Sequence, residues 1–497
     1  MVLWEEFLPV EWEESEGVYK WSNGLRGSLK RLSGGPEVSD VCNGLTFAEF
    51  LSQVAHPDAN PEAADGLEYY FDEVVESAES MDFFDKTLPK MADLALRLPE
   101  LLLEQIEQRK KMVEVVTDSG ECDDAGVLRP LSLQILHPQQ PGIILITQEL
   151  AASILSCAFF CLFPVSKRDQ HRLPAINMDT MLAGVWGRAS QIHKVHCLRN
   201  YFKRVCESMP QGSVSYERKV LPLPNHKVME AAFWSGSHTP LCSFEISDHG
   251  IIEDAGWEYA QVDFANKFLG GGALRLGCVQ EEIRFMLSPE LIVGMLFLPA
   301  MAENETIEIT GSERFSNYAG YAGKFRYAGN FVDSTPRDAW GRRYTKIIPM
   351  DAKARPGESQ FQEKILLREA CKAYCGFLST ETMAFNTHEN SGVTGKYGGI
   401  ATGNWGCGAF GGDLPVKSML QWLAASEAGW PTVKYYTFQD QRAERLSEAV
   451  HHIVEKKYDV GQLWSAVLKY GELRHSKDVH CDFFTWLLKD STLHPAS

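Results

Sequence analysis

The chain has 497 residues, enough for two or three domains, and its 44% hydrophobic and 23% charged content is ordinary for a globular protein. A formal net charge of -18 argues against nonspecific binding to nucleic acid or anionic membranes, because the field repels both. A polyanion is still a possible ligand, provided backbone N–H groups in a pocket grip it in place of a basic surface.

The opening "MVLWEEFLPVEWEE" is acidic and lacks the basic and apolar regions of a secretory signal. The segment "DANPEAADG" fails the calcium-loop spacing, with no glycine at its sixth position. Met91, Leu94, Leu98 and Leu101 recur at helical spacing and predict a buried stripe. Residues 117–126, "TDSGECDDAG", are turn-rich and predict a loop. Helix is expected throughout "GIILITQELAASILSCAFFCLF" and again in "HCLRNYFKRVCESM". The uncharged run 150–165 is too short for the roughly 20 residues of a membrane span, so it predicts a buried helix. The 12 cysteines include no CxxC pair, and Cys157/Cys161 and Cys371/Cys375 sit in apolar segments. That usage fits core thiols in a reducing compartment, with no metal expected. Residues 1–212 therefore read as a mostly helical, structural region.

After Gly212 short β-type runs appear: "VSYERKV", "LCSFEIS", "AQVDFAN", "ETIEITG", "TKIIPMDA" and "TVKYYTF". Helical patterns at 281–297, 361–377 and 414–428 alternate with them, which predicts a layered α/β domain over 213–440. Residues 441–497 return to helix. The stretch 386–399 reads as a flexible insertion. Asn304-Glu305-Thr306 matches a glycosylation sequon, idle without secretion.

Chemistry concentrates in "QVDFANKFLGGGALRLGCVQEE". Gly270, Gly271 and Gly272 lie between a strand end and a helix start, where exposed N–H groups let a pyrophosphate approach. Taken singly, a glycine run is a turn, and Glu281 and Glu282 merely complement a helix dipole. Their conjunction with Asp263 and Asn266 favours a site. A second cluster, "ATGNWGCGAFGGD" (401–413), contains a formal GxGxxG, which raises the alternative of a nicotinamide-dependent oxidoreductase. No convincing apolar strand precedes it, and the next acidic residue beyond the following strand, Asp440, comes late. It reads better as a second phosphate loop. Tyr321 and Phe438 are candidate stacking platforms, and Glu253, beside Ile252, is placed to read an exocyclic amine.

"VDFAN", then GGG, seven residues and QEE, followed by "YAGYA" and "ATGNWGCGAFGGD", resembles the poly(ADP-ribose) glycohydrolase family. The helical half is similar too, most closely to plant members, in "YYFDEVVESAESMDFFDKTLP" and "DFFTWLL". The resemblance implies a macrodomain, a three-layer α/β/α fold with a mixed sheet, beside an all-α N-terminal accessory region and C-terminal helices. It implies Asp263, Glu281 and Glu282 as active-site acids, and Ile252 and Glu253 at the adenine. Asn266 and Gln280 would hold the reacting ribose and its loop, and Tyr321 and Phe438 would flank the adenosine. Asn404, Trp405, Gly406, Cys407, Gly408, Ala409 and Phe410 would follow the diphosphate and ribose. The one departure is the insertion at 386–399.

The activity so implied is hydrolysis of ribose–ribose bonds in poly(ADP-ribose) on modified proteins. The expectation includes no cofactor, no direct nucleic-acid or membrane partner, a monomer, and a place in the DNA damage response. Nucleus and cytoplasm both fit. The alternative within the same fold is a reader that binds ADP-ribose without cleaving it. A reader does not need both carboxylates of QEE, so an enzyme is expected.

Overall fold

The structure, a computed structural model, describes residues 4–107, 130–131, 133–221, 227–378 and 397–489. The expected loop at 117–126 and most of the expected insertion at 386–399 lie outside the described residues. The chain divides into two compact units. The first comprises Met1–Glu217, Phe268–Ala300 and Ile309–Tyr344, and the second Arg218–Lys267, Met301–Glu308 and Thr345–Ser497. The sequence boundaries at 212/213 and 440/441 do not coincide with these units, because the glycine-and-acid segment after Lys267 groups with the N-terminal helices.

In the first unit, helix Gly44–Val54 starts at Asn43, whose side chain accepts from the Thr46 amide at 2.9 Å. Thr46 returns the bond by accepting from the Asn43 amide at 3.2 Å, so two orphan amides are satisfied at once. Phe47 of this helix anchors an aromatic core with Phe71, Phe83, Phe84, Phe159 and Phe160. Met91, Leu94, Leu98 and Leu101 are all buried, as their spacing predicts. One expected helix is corrected. Gly142–Thr147 is a strand, and the helix begins only at Gln148 and runs to Phe159. Ile143, Ile144 and Ile146 are stiff at χ1 and suit a pleated, buried strand better than a helix. Thr147 then caps the helix, its hydroxyl accepting from the Leu150 amide at 3.1 Å. Among the described residues, no helix is long and apolar enough to cross a membrane.

The second unit is built on strands in the order Ser213–Val220, Glu305–Thr310, Lys346–Pro349, Tyr259–Asp263, Gly399–Gly403, Thr432–Tyr436 and Ser243–Ser247, the first two shared with the first unit. The last five pair in parallel throughout. Their carboxyl ends therefore lie along one edge, where open α/β sheets bind ligands. Val262, Ile348, Ile400 and Val433 form one core with helices Glu363–Phe377, Leu414–Glu427 and Val460–Ser476. Gly399–Gly403 is a second correction. The glycine-rich "GIATG", which offers no apolar alternation, is a fully buried central strand. Its small residues fit where neighbouring backbone comes close: a Cβ on Gly403 would stand 2.5 Å from the Tyr436 carbonyl.

Candidate active site

The candidate residues fall into two sets, one in each unit. In the first unit, residues 268–282 leave a tight loop and enter helix Gln280–Leu287. Both glutamates are buried, and a buried carboxylate is tolerable only when hydrogen-bonded. The loop supplies those bonds. The Gly270 amide donates to Glu281 Oε1 at 2.7 Å, and the Gly272 amide to Glu282 Oε1 at 2.9 Å. The other oxygen of Glu282 accepts from the Val279 amide at 2.8 Å, the reach-back of a third helical residue to its N-cap.

The middle amide, Gly271, donates to the Phe268 carbonyl at 3.0 Å. All three glycine amides are thus spent inside the loop. The expectation that they stand open to a pyrophosphate is corrected: those of Gly270 and Gly272 seat the two acids, and that of Gly271 closes the turn. Gly271 itself has φ +51°, and a Cβ there would stand 2.5 Å from Glu281 Oε2 and 2.8 Å from Glu282 Oε1. Both carboxylates therefore flank one point, and only glycine fits between them.

Sequence reasoning missed Lys194, which lies under this loop. Helix Ala189–Glu207 buries Gln191, Lys194, Val195, Leu198, Phe202 and Val205 along one stripe. A lysine at helical spacing within an apolar stripe was the available signal. Lys194 Nζ donates to the carbonyls of Arg275 at 2.7 Å and Gly277 at 2.9 Å. Burial pushes its pKa down to about 8, against the opposing pull of Cys278 and Glu282. Gln191 adds a bond to the Leu276 carbonyl at 3.3 Å. Tyr321, also of the first unit, follows strand Ser316–Ala319 and is 38% exposed.

The second unit places its candidates just beyond the carboxyl ends of parallel strands. Asp263 closes Tyr259–Asp263 and is fully buried, its carbonyl accepting from the amides of Ala265 at 2.8 Å and Met350 at 3.1 Å. Asn266 follows three residues later. Ile252 and Glu253 form a buried turn after Ser243–Ser247, and Ile252 packs with Ala401 and Tyr436, against Phe264. Asn404 follows Gly399–Gly403. Its amide group donates to the Thr437 carbonyl at 2.8 Å, and its oxygen accepts from the Tyr435 hydroxyl at 3.0 Å. That bond draws the segment carrying Phe438 to the second glycine loop. Phe438 is 54% exposed with φ +53°, a left-handed conformation costly for an aromatic residue.

The second glycine loop is built differently from the first. Trp405 anchors it from below, its indole donating to the Met350 carbonyl at 2.9 Å and its ring covered by Lys417, which pairs with Glu369. Arg442 donates to the Cys407 carbonyl at 3.0 Å and pairs with Asp440 at 2.6 Å. The amides of Cys407, Gly411 and Gly412 bond within the loop. Those of Gly406, Gly408, Ala409 and Phe410 meet no acceptor among the described residues. A Cβ on Gly408 would meet nothing within 4 Å. Open amides on a glycine turn ahead of a helix are an anion cradle. No cluster of three or more metal-ligating side chains occurs among the described residues.

Residues 231–445 match the family described as poly(ADP-ribose) glycohydrolase, macro domain fold, and residues 75–218 match its helical domain. Poly(ADP-ribose) glycohydrolase 1 of Arabidopsis thaliana is 37% identical over 95% of this chain and 94% of its own length. The probable poly(ADP-ribose) glycohydrolase 2 of the same plant is 37% identical over 97% of each chain. Poly(ADP-ribose) glycohydrolase 1 of Caenorhabditis elegans is 32% identical over 59% of this chain and 37% of its own.

Proposed function

The chain belongs to the poly(ADP-ribose) glycohydrolase family, and from that premise we propose how its residues divide the work. It is a glycosidase that hydrolyses ribose–ribose O-glycosidic bonds in poly(ADP-ribose) carried on modified proteins, releasing ADP-ribose. The observation that carries the residue assignment is the seating of two adjacent buried carboxylates by the first glycine loop.

Glu282 is the general acid. Its carboxyl gives a proton to the ribose oxygen that leaves as the C–O bond breaks, and the other ribose becomes oxocarbenium-like. The resulting carboxylate then takes a proton from the water that attacks the anomeric carbon, which restores the acid. Ordinary glycosidases set two carboxylates roughly 5 to 9.5 Å apart across the sugar. Glu281 and Glu282 are sequence neighbours flanking one glycine, an arrangement that supports a single acid/base with Glu281 holding ribose hydroxyls. Asp263 steadies the turn after its strand, and Asn266 and Gln280 hold the ribose and its loop. The amides of Gly406, Gly408, Ala409 and Phe410, within the Asn404–Phe410 loop, take the diphosphate. Ile252 and Glu253 meet the adenine, and Tyr321 and Phe438 cover the adenosine.

The same reading has the protein working as a monomer, without nucleic acid, in nucleus and cytoplasm. The test is incubation with poly(ADP-ribose) and analysis of products by chain length. Release of free ADP-ribose is expected, and an intact polymer would reduce the protein to a binder.

A further inference from the structure

The first unit carries an aromatic and cationic surface that the chemistry above does not use. Helix Glu62–Tyr69 comes so close to the Asp179–Ala183 turn that a Cβ on Gly66 would stand 2.0 Å from the Leu182 carbonyl. This contact brings Tyr69 under Trp186: the rings stack with centroids 4.3 Å apart and planes 22° from parallel. Trp186 is 59% exposed, so one face rests on Tyr69 and the other is open. An exposed tryptophan held rigid from behind forfeits burial and offers a flat, pre-ordered contact.

The platform borders the catalytic loop. Gly184, two residues before Trp186, faces Leu276 so closely that a Cβ would stand 2.5 Å from its Cδ2. Gln191 and Lys194, from the helix that Arg188 leads into, bond the carbonyls of residues 275–277. Arg188 and Arg275 are exposed, and among the described residues neither has an ion-pair partner. In a chain of net charge -18, two such arginines beside an open tryptophan suit an anionic, base-bearing chain.

We infer that Trp186, backed by Tyr69, stacks the adenine of a neighbouring ADP-ribose unit of the bound polymer, whose pyrophosphate Arg188 and Arg275 take. The inference rests on the reading of the chain as a poly(ADP-ribose) hydrolase. It makes the helical region a second subsite, one that a single ADP-ribose does not reach.

The experiment compares wild type with Trp186→Ala and Trp186→Phe on long poly(ADP-ribose) chains and on monomeric ADP-ribose. Trp186→Ala should raise KM for long chains at least about 5-fold, the scale of one lost base stack, with kcat kept. Inhibition by monomeric ADP-ribose should not change, and Trp186→Phe should restore most of the loss. Arg188→Ala should flatten the salt dependence of KM on long chains. Wild-type turnover with the same KM in Trp186→Ala would overturn the platform alone. Wild-type protein that releases no ADP-ribose would overturn the hydrolase reading on which it rests.

Discussion

The two glycine-rich loops look alike in sequence and use their amides in opposite ways. Residues 270–272 turn every amide inward, two onto the acids and one onto Phe268. Residues 406–410 leave four amides without a protein acceptor among the described residues. The first loop is a socket for protein carboxylates, and the second has amides free for the external anion proposed above. A glycine run therefore signals close backbone approach, and the group that approaches can belong to the protein itself.

Substitutions at corresponding glycines test this contrast most strongly. Gly271→Val forces a side chain into the point that Glu281 and Glu282 flank, at a positive φ. Turnover should fall by at least ~10²-fold, because Glu282, the proposed general acid, is displaced, and the melting temperature should drop as well. Near-normal kcat in this variant would break the comparison at its first term. Glu282→Gln isolates the chemistry. Steady-state kinetics should show kcat lower by at least ~10²-fold, with ADP-ribose affinity by calorimetry largely kept. A glutamine variant that still turned over normally would mean another group supplies the proton.

Lys194 tests whether the socket is held from beneath. Its pKa of about 8 lies below the ordinary lysine value, so below pH 8 it is charged in folded and unfolded states alike. Between pH 8 and about 10.4 the unfolded chain keeps the proton that the folded one has lost. Stability contributed by this site should therefore rise with pH across that window, by up to about 1.4 kcal/mol per pH unit. Denaturant melts of wild type and Lys194→Met over this range should diverge, the variant lacking the rise.

Gly408→Val addresses the cradle. Its Cβ enters open space, so stability should stay within about 0.5 kcal/mol of wild type. ADP-ribose affinity should fall about 10-fold, the scale of one or two lost charge-assisted hydrogen bonds. Undiminished affinity would remove the cradle from the diphosphate. The smallest effects belong to the two proposed adenosine platforms. Tyr321→Ala should cost about 1 kcal/mol of binding. Phe438→Gly should cost a similar amount of affinity while raising stability, since glycine relieves the left-handed backbone at φ +53°. If both properties moved together, the strain at Phe438 would have no link to ligand.

Periodicity and local chemistry settled much in advance. The stripe of Met91, Leu94, Leu98 and Leu101, the six β-type runs after Gly212 and the adjacency of glycines to acids were all legible, since each depends on residues close in the chain. The order of motifs also identified the family. "GIATG" was not legible as a central strand, because its fitness comes from backbone packed against it, with Tyr436 at one end. Nor could the fate of the loop amides be read. Glycine at 270 and glycine at 408 present the same N–H, and whether it meets a glutamate or open space is decided by where the helix beyond it is anchored. Lys194, 81 residues before the Arg275 carbonyl it holds, and Trp186 on Tyr69 are long-range pairings of the same kind. Local sequence dictates which groups are available to bond, but only the folded chain's distances, set by helix packing through contacts such as Gly66 on Leu182, decide which of them meet.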